Sequence, residues 1–256
     1  MASVEALRGR LSESHVIIVT NDNDDGTDEV LDAYAERAPL VQILRIDGAN
    51  KTHRHRVDRI AHARNTALDA VFDLVPRPAF TLVIDMDGPN ETLPIKALLD
   101  CLNESDRDWA GLFANQADGY YDLYALRHPE WCPDDCWKHV RANMLNPRRL
   151  FDWWHFKKKF VYDRQYAIPT GHDWIEVHSA FGGLGLYRTA SLENLRYGTR
   201  DADGRRICEH VDLHRQIREK GGRLFIAPSL LNAAPLEHLG PGSGRPFPPD
   251  ITQKGA

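Results

Sequence analysis

The chain has 256 residues, 42% of them hydrophobic and 27% charged, with a formal net charge of -5. That length is enough for one large α/β domain, the favoured reading, or two small ones, and the negative balance argues against a general nucleic-acid binder. Four cysteines, Cys101, Cys132, Cys136 and Cys208, are too scattered for a disulfide framework and form no Cys-x-x-Cys zinc pair. No apolar run approaches the ~20 residues of a membrane span. The expectation is a cytoplasmic protein with reduced thiols, with association to the cytoplasmic face of a membrane left open.

Residues Val4 to Glu13 read as a short helix and His15 to Thr20 as a buried strand. The strand runs into Asn21-Asp22-Asn23-Asp24-Asp25-Gly26-Thr27, an acidic loop in which Thr27 or Asp28 can N-cap a helix over Glu29 to Glu36. Pro39 ends that helix, Val41 to Ile46 alternates as a second strand, and Asp47 to His55 reads as a polar loop. The next helix, Val57 to Leu74, carries an inward stripe of Ile60, Ala61, Ala67, Leu68, Val71 and Phe72. Within it, the neighbours Arg64 and Asn65 cannot both face the core. They are either surface residues or groups that reach a ligand at the sheet edge.

Pro76 and Pro78 then precede the strand Phe80 to Ile84, which runs straight into Asp85 and Asp87. Alternate residues of an extended chain share a face, so these two carboxylates can point together and hold a hard divalent cation. The order to this point is βαβαβ, which predicts a mainly parallel sheet with ligands beyond the carboxyl ends of its strands.

A helix over Thr92 to Asn103 follows, then strands at Trp109 to Ala114 and Tyr120 to Arg127 that are expected to form a hairpin. From His128 to His178 the pattern weakens. This stretch holds Trp131, Trp137, Trp153, Trp154 and Trp174, five of the six tryptophans, together with Arg148, Arg149, Lys157, Lys158 and Lys159. Aromatic faces stack on sugars and basic groups meet phosphates or acids, so the composition fits an acceptor cradle. It also fits a helix laid on anionic lipid, or a small accessory core with a charged rim.

Ser179 to Arg188 reads as a strand whose glycines, including Gly182 and Gly183, suggest close approach to the backbone, by a substrate for example. Cys208 to Arg218 is a helix that opens with Glu209 and Asp212 near its positive end, spaced to share a face, while His210 points elsewhere. Arg223 to Ala227 is a last strand, and Pro235 to His238 leads into a tail expected to be poorly ordered after Gly240.

Taken together, these motifs resemble those of the nucleotide-sugar-dependent glycosyltransferases of the GT-A fold, over roughly Val16 to His238. The resemblance implies one domain over residues 1–240, with a donor half at about 1–115, an acceptor half at about 116–240, and a flexible tail at 241–256. It implies nucleoside contacts from the Asn21 and Asp22 loop and donor contacts from Arg64, Asn65 and Asp85. A manganese or magnesium ion would sit on Asp85 and Asp87, with His238 as a further ligand. Glu209, His210 and Asp212 would act on the acceptor hydroxyl, and Tyr121, Asp122, Trp153, Trp154, Gly182 and Gly183 would lie on the acceptor side. Tyr120-Tyr121-Asp122 and the Cys208-Glu209-His210 helix are also somewhat similar to the fungal capsule-associated α-mannosyltransferases.

Two departures stand out. The family's Glu-Asp reads Glu209-His210 here, so a histidine occupies the place of the base of inverting members, and the usual first strand is missing. The implied partners are a nucleoside-diphosphate sugar and a glycan or glycoconjugate acceptor. Two other readings fit the same residues. In one, Asp85 is the nucleophile of a haloacid-dehalogenase-like phosphatase, although Pro89 and two preceding βα units depart from that pattern. In the other, the chain is a non-catalytic nucleotide-sugar or glycan binding module.

Overall fold

The computed structural model describes residues 1–86, 88–144, 152–248 and 251. After helix α1 (Ala2–Arg8), strand β1 (Val16–Thr20), helix α2 (Thr27–Arg37) and strand β2 (Val41–Arg45) make a βαβ unit with parallel pairing from Val16↔Val41 to Thr20↔Arg45. The cap of α2 differs from expectation. Gly26 takes the N-cap place with φ +83°, and the Asp25 carboxylate accepts the Thr27 N–H at 3.1 Å. Part of the expected polar loop folds as the short helix α3 (Ala49–Thr52), and α4 (Arg56–Asp73) follows, burying Ala61, Leu68 and Ala70.

Strand β3 (Phe80–Ile84), helix α5 (Ile95–Leu102) and strand β4 (Gly111–Gln116) lead to helices α6 (Cys136–Met144) and α7 (Trp153–Phe160). Short strands β5 (Tyr166–Ala167) and β6 (Ile175–Glu176), strand β7 (Leu184–Arg188), helix α8 (Glu209–Glu219), strand β8 (Leu224–Asn232) and short strand β9 (Arg245–Pro246) complete the chain.

The architecture is mixed α/β. Five strands pair in the order β3-β7-β4-β8-β6, flanked by helices, and β1 and β2 form a separate parallel pair. Within the five, only β4 and β8 run parallel; β7 is antiparallel to both β3 and β4, and β6 is antiparallel to β8. The five-stranded sheet is therefore mixed, not mainly parallel. Alternation of strands and helices predicted the parallel order but could not reveal that β7 inserts between β3 and β4 in the opposite direction.

Side-chain alternation on β4 divides the core. Phe113 packs with Tyr187, Leu213 and the Trp131 region on one side, while Leu112 and Ala114 pack with Trp109, Leu98, Leu184 and Phe225 on the other. Trp131 is buried against Tyr120 and Phe247 and so belongs to the core. Cys132 and Cys136 are buried free thiols.

Two sequence expectations fail here. The Tyr120 to Arg127 strand and its hairpin do not form: residues 123–125 turn, and the Asp122 carboxylate accepts the Ala125 N–H at 3.2 Å. The apparent alternation is misleading because Leu123, Ala125 and Leu126 are all buried, and β4 takes β7 and β8 as neighbours instead. The start of the tail is also packed. Arg245 and Pro246 pair with Tyr166 and Ala167, Phe247 is buried against Trp131, and Gly244 N–H donates to the Gln165 carbonyl at 2.7 Å. Residues 249, 250 and 252–256 of the expected tail lie outside the described residues, as do Arg148 and Arg149. Among the described residues no helix is long and apolar enough to cross a membrane.

Candidate active site

The carboxyl end of β3 is fixed by amide chemistry. Asp85 N–H donates to the Gly183 carbonyl at 2.9 Å, which carries the β3–β7 pairing one step past Ile84↔Leu184. Asn90 Nδ2 donates to the carbonyls of Asp85 (2.9 Å) and Gly183 (2.7 Å). Asn232, ending β8, donates to Asn90 Oδ1 (2.9 Å) and the Gly182 carbonyl (2.8 Å). Gln116, ending β4, donates to Asn232 Oδ1 (2.8 Å) and the same Gly182 carbonyl (3.1 Å). Four chain segments are thus held in one frame by amide N–H donors, which avoid the cost of burial without a partner, while Gln116 Oε1 is buried with no partner among the described residues.

Gly182 and Gly183 belong to that frame, which corrects the reason expected for them. They form a turn before β7, with φ +67° and +83°, instead of lying within a strand. A Cβ on Gly182 would stand 2.6 Å from Gln116 Nε2, and one on Gly183 would stand 3.1 Å from Pro89 Cβ and 3.2 Å from the Tyr121 hydroxyl. The close approach that requires glycine is made by the protein's own side chains. Asp122 joins the frame too, its Oδ2 accepting the Gly182 N–H at 3.1 Å, and burial raises its carboxyl above the usual range. Tyr121 stacks on His238 with ring centroids 5.5 Å apart.

Onto this frame α4 projects Arg64. Its Nη2 donates to Asp85 Oδ1 at 2.9 Å, its Nε lies 3.4 Å from Glu209 Oε1, and its guanidinium sits 4.5 Å above the Phe181 ring and 5.8 Å from Tyr197. The Arg64 side chain is 13% exposed, Glu209 6%, and Asp85 37%, so Asp85 forms the open rim of the cluster. Burial pulls the guanidinium pKa down, but Asp85 and Glu209 outweigh it and hold it above its ordinary value. Glu209 opens α8, where unpaired backbone N–H groups favour a carboxylate.

His210 meets the same guanidinium. Its Nε2 faces Arg64 Nη1, and its ring stacks on Phe181 at 3.8 Å with an interplanar angle of 23°. Burial first, then Arg64 and His214, hold its pKa well below the usual imidazole value. Asp212 turns away: Arg215 donates to its Oδ1 at 2.8 Å and Gln216 to its Oδ2 at 2.9 Å. The expected pairing is therefore reversed, with Glu209 and His210 converging while Asp212 is excluded. The forked guanidinium spans the angle between successive helical residues, which spacing along α8 alone does not reveal.

The remaining candidates are engaged elsewhere. Asn65 Nδ2 donates to the Tyr197 carbonyl (3.0 Å) and its Oδ1 accepts the Tyr197 N–H (2.9 Å), which clamps α4 to the segment before α8. Asp22 accepts the Gly48 N–H at 2.7 Å and the Asn50 N–H at 3.4 Å, and Asn21 donates to Asp22 at 3.4 Å. The Gly48 bond holds the Asp22 carboxyl below the usual range. Trp153 and Trp154 on α7 flank Lys157, whose ammonium lies 4.9 and 5.7 Å from their rings and 4.8 Å from that of Tyr162.

Among the described residues a divalent-cation site is not complete. Asp85 Oδ1 is engaged by Arg64, His238 is stacked on Tyr121, and among the described residues no three His, Cys, Asp or Glu side chains converge on one point. Asp87 lies outside the described residues.

Sequence reasoning missed Phe181 and Tyr197, which wall Arg64, and the amides Asn90, Gln116 and Asn232. A signal for the last two was present: each is a polar residue that closes an apolar strand, after Phe113-Ala114 and Leu230-Leu231. No protein-family model matches the chain, and no curated protein is significantly similar to it.

Proposed function

We propose that the chain is a glycosyltransferase that moves a sugar from a nucleoside-diphosphate donor to a hydroxyl of a glycan or glycoconjugate, on a GT-A-like sheet. The observation that carries the reading is the buried guanidinium of Arg64 held between Asp85 and Glu209 beyond the end of β3. Residues from the Arg-Asn helix, the Asp-x-Asp strand and the Glu-His helix, far apart in sequence, meet there, which supports the reading.

In the proposed reaction the acceptor oxygen attacks the anomeric carbon, the bond to the diphosphate breaks, and the diphosphate leaves with its electron pair. Asp85, the most exposed of the three charges, is placed to bind sugar hydroxyls, and Arg64 holds it in one orientation. Of the three acids and bases on α8, Glu209 is the one to take or steer the acceptor proton, because His210 presents its Nε2 to Arg64 and Asp212 is bonded to Arg215 and Gln216. Tyr121, Asp122 and the Gly182–Gly183 turn border the same frame on the acceptor side, and Trp154, 62% exposed, offers a stacking face. The manganese or magnesium ion of the resemblance would neutralise charge on the leaving diphosphate; the described residues do not by themselves supply its site.

The test is a thermal-shift screen of nucleoside diphosphates and their sugars, with and without manganese. A ligand at a hundred times its Kd stabilises the folded state by about 2.7 kcal/mol, a shift of several degrees. No shift with any donor would refute the proposal.

A further inference from the structure

The resemblance implies a proton acceptor at the place of His210, but its surroundings assign it another task. Arginine has donors and no acceptor, so a ring nitrogen that meets Arg64 Nη1 must present a lone pair. His210 Nε2 is therefore unprotonated and its hydrogen resides on Nδ1, which is buried and has no hydrogen-bond partner among the described residues. The ring is 1% exposed, stacked on Phe181, edge-on to Tyr197 at 5.5 Å, and 5.4 Å from His214. Glu209 Oε1 lies 3.8 Å from the same Nε2, so the imidazole and the carboxylate approach the guanidinium side by side. A buried donor left unpaired costs about 1–3 kcal/mol, a cost that persists only when another contact fixes the ring.

We propose that His210 is a positioning residue, a neutral Nδ1–H imidazole whose Nε2 locks the Arg64 guanidinium between Asp85 and Glu209, and not the base of the reaction. The aromatic stack fixes the ring, the ring fixes Arg64, and Arg64 fixes the carboxylate that meets the sugar. The kinetic part rests on the glycosyl-transfer reading; the tautomer does not.

Two measurements on the full chain separate the possibilities. In nitrogen-15 histidine spectra, assigned by comparison with His210→Gln, the His210 Nε2 resonates as an unprotonated nitrogen and Nδ1 as a protonated one. An Nε2–H tautomer or an imidazolium at neutral pH would overturn the proposal whether or not the chain transfers sugars. In kinetics, His210→Gln keeps an acceptor oxygen near the Nε2 position and retains most of kcat/KM. His210→Phe keeps the stack but no acceptor, and loses about ten- to a hundredfold, the worth of one hydrogen bond to a charged group. Equal loss in both variants, with both folded, would show that proton transfer at His210 is what matters. If the wild type turns over no donor, the glycosyl-transfer reading fails alone, and the spectra still decide the tautomer.

Discussion

Arg64→Met tests the charge cluster through stability. The substitution keeps the stem and removes the only permanent cation paired with Glu209 among the described residues; the Glu209 side chain is 6% exposed. Leaving one partner of a buried ion pair uncompensated costs about 3–5 kcal/mol. Loss of the guanidinium from the Phe181 face, 4.5 Å away, adds about 0.5–2 kcal/mol. A chain of this length has an unfolding entropy near 0.5 kcal/mol/K, so Tm should fall by roughly 7–14 °C. The diagnostic step is the double variant. Glu209→Gln removes the charge that lost its partner, so Arg64→Met/Glu209→Gln should be more stable than Arg64→Met alone, with a coupling of about 2 kcal/mol or more. Differential scanning calorimetry on the four proteins measures the cycle. Additive losses, or an Arg64→Met protein within about 1 kcal/mol of wild type, would refute the buried-pair reasoning.

Three further outcomes follow from the geometry. Gly182→Ala places a methyl 2.6 Å from Gln116 Nε2 at φ +67° and should cost roughly 2–5 kcal/mol in denaturant unfolding; a cost below about 1 kcal/mol would mean that the amide frame yields easily. His214, with Nδ1 on Ser179 Oγ at 2.9 Å and Nε2 on the Tyr187 hydroxyl at 2.8 Å, has its pKa pushed down to about 3 by burial, then by Arg64. The unfolded chain therefore binds the extra proton first as pH falls below about 6.5, and stability declines through the window from about 6.5 to 3, by about 2 kcal/mol at pH 5. His210 shifts in the same direction, and a flat unfolding free energy between pH 7 and 5 would contradict both. Trp154→Ala, at a residue 62% exposed, should leave Tm within about a degree while raising the acceptor KM; unchanged kinetics would remove Trp154 from the acceptor side.

The sequence carried the order of strands and helices up to β3, because each element there has its own period and its own breaker, such as Pro39, Pro76 and Pro78. It also brought Arg64, Asp85 and Glu209 forward as chemistry-bearing residues. What it could not carry was direction and distance. The insertion of β7 between β3 and β4 is a long-range event with no local mark, and the bond from Gln116 to Asn232 joins residues more than a hundred positions apart. The Tyr120 to Arg127 segment misled because its hydrophobic residues alternate in part, although it is buried on more than one side. The glycines were correctly singled out for close approach, but a sequence does not say whether a ligand or the chain itself does the approaching.

The central claim is that the Arg64, Asp85 and Glu209 cluster belongs to a sugar-transfer site, and release of nucleoside diphosphate tests it most directly. Wild type and Asp85→Asn would each be incubated with a panel of nucleoside-diphosphate sugars, glycan acceptors and manganese. The account predicts acceptor-dependent release by the wild type with at least one donor, and its loss in a folded Asp85→Asn protein. Release that is equal in the two proteins, or none with any donor, would contradict it.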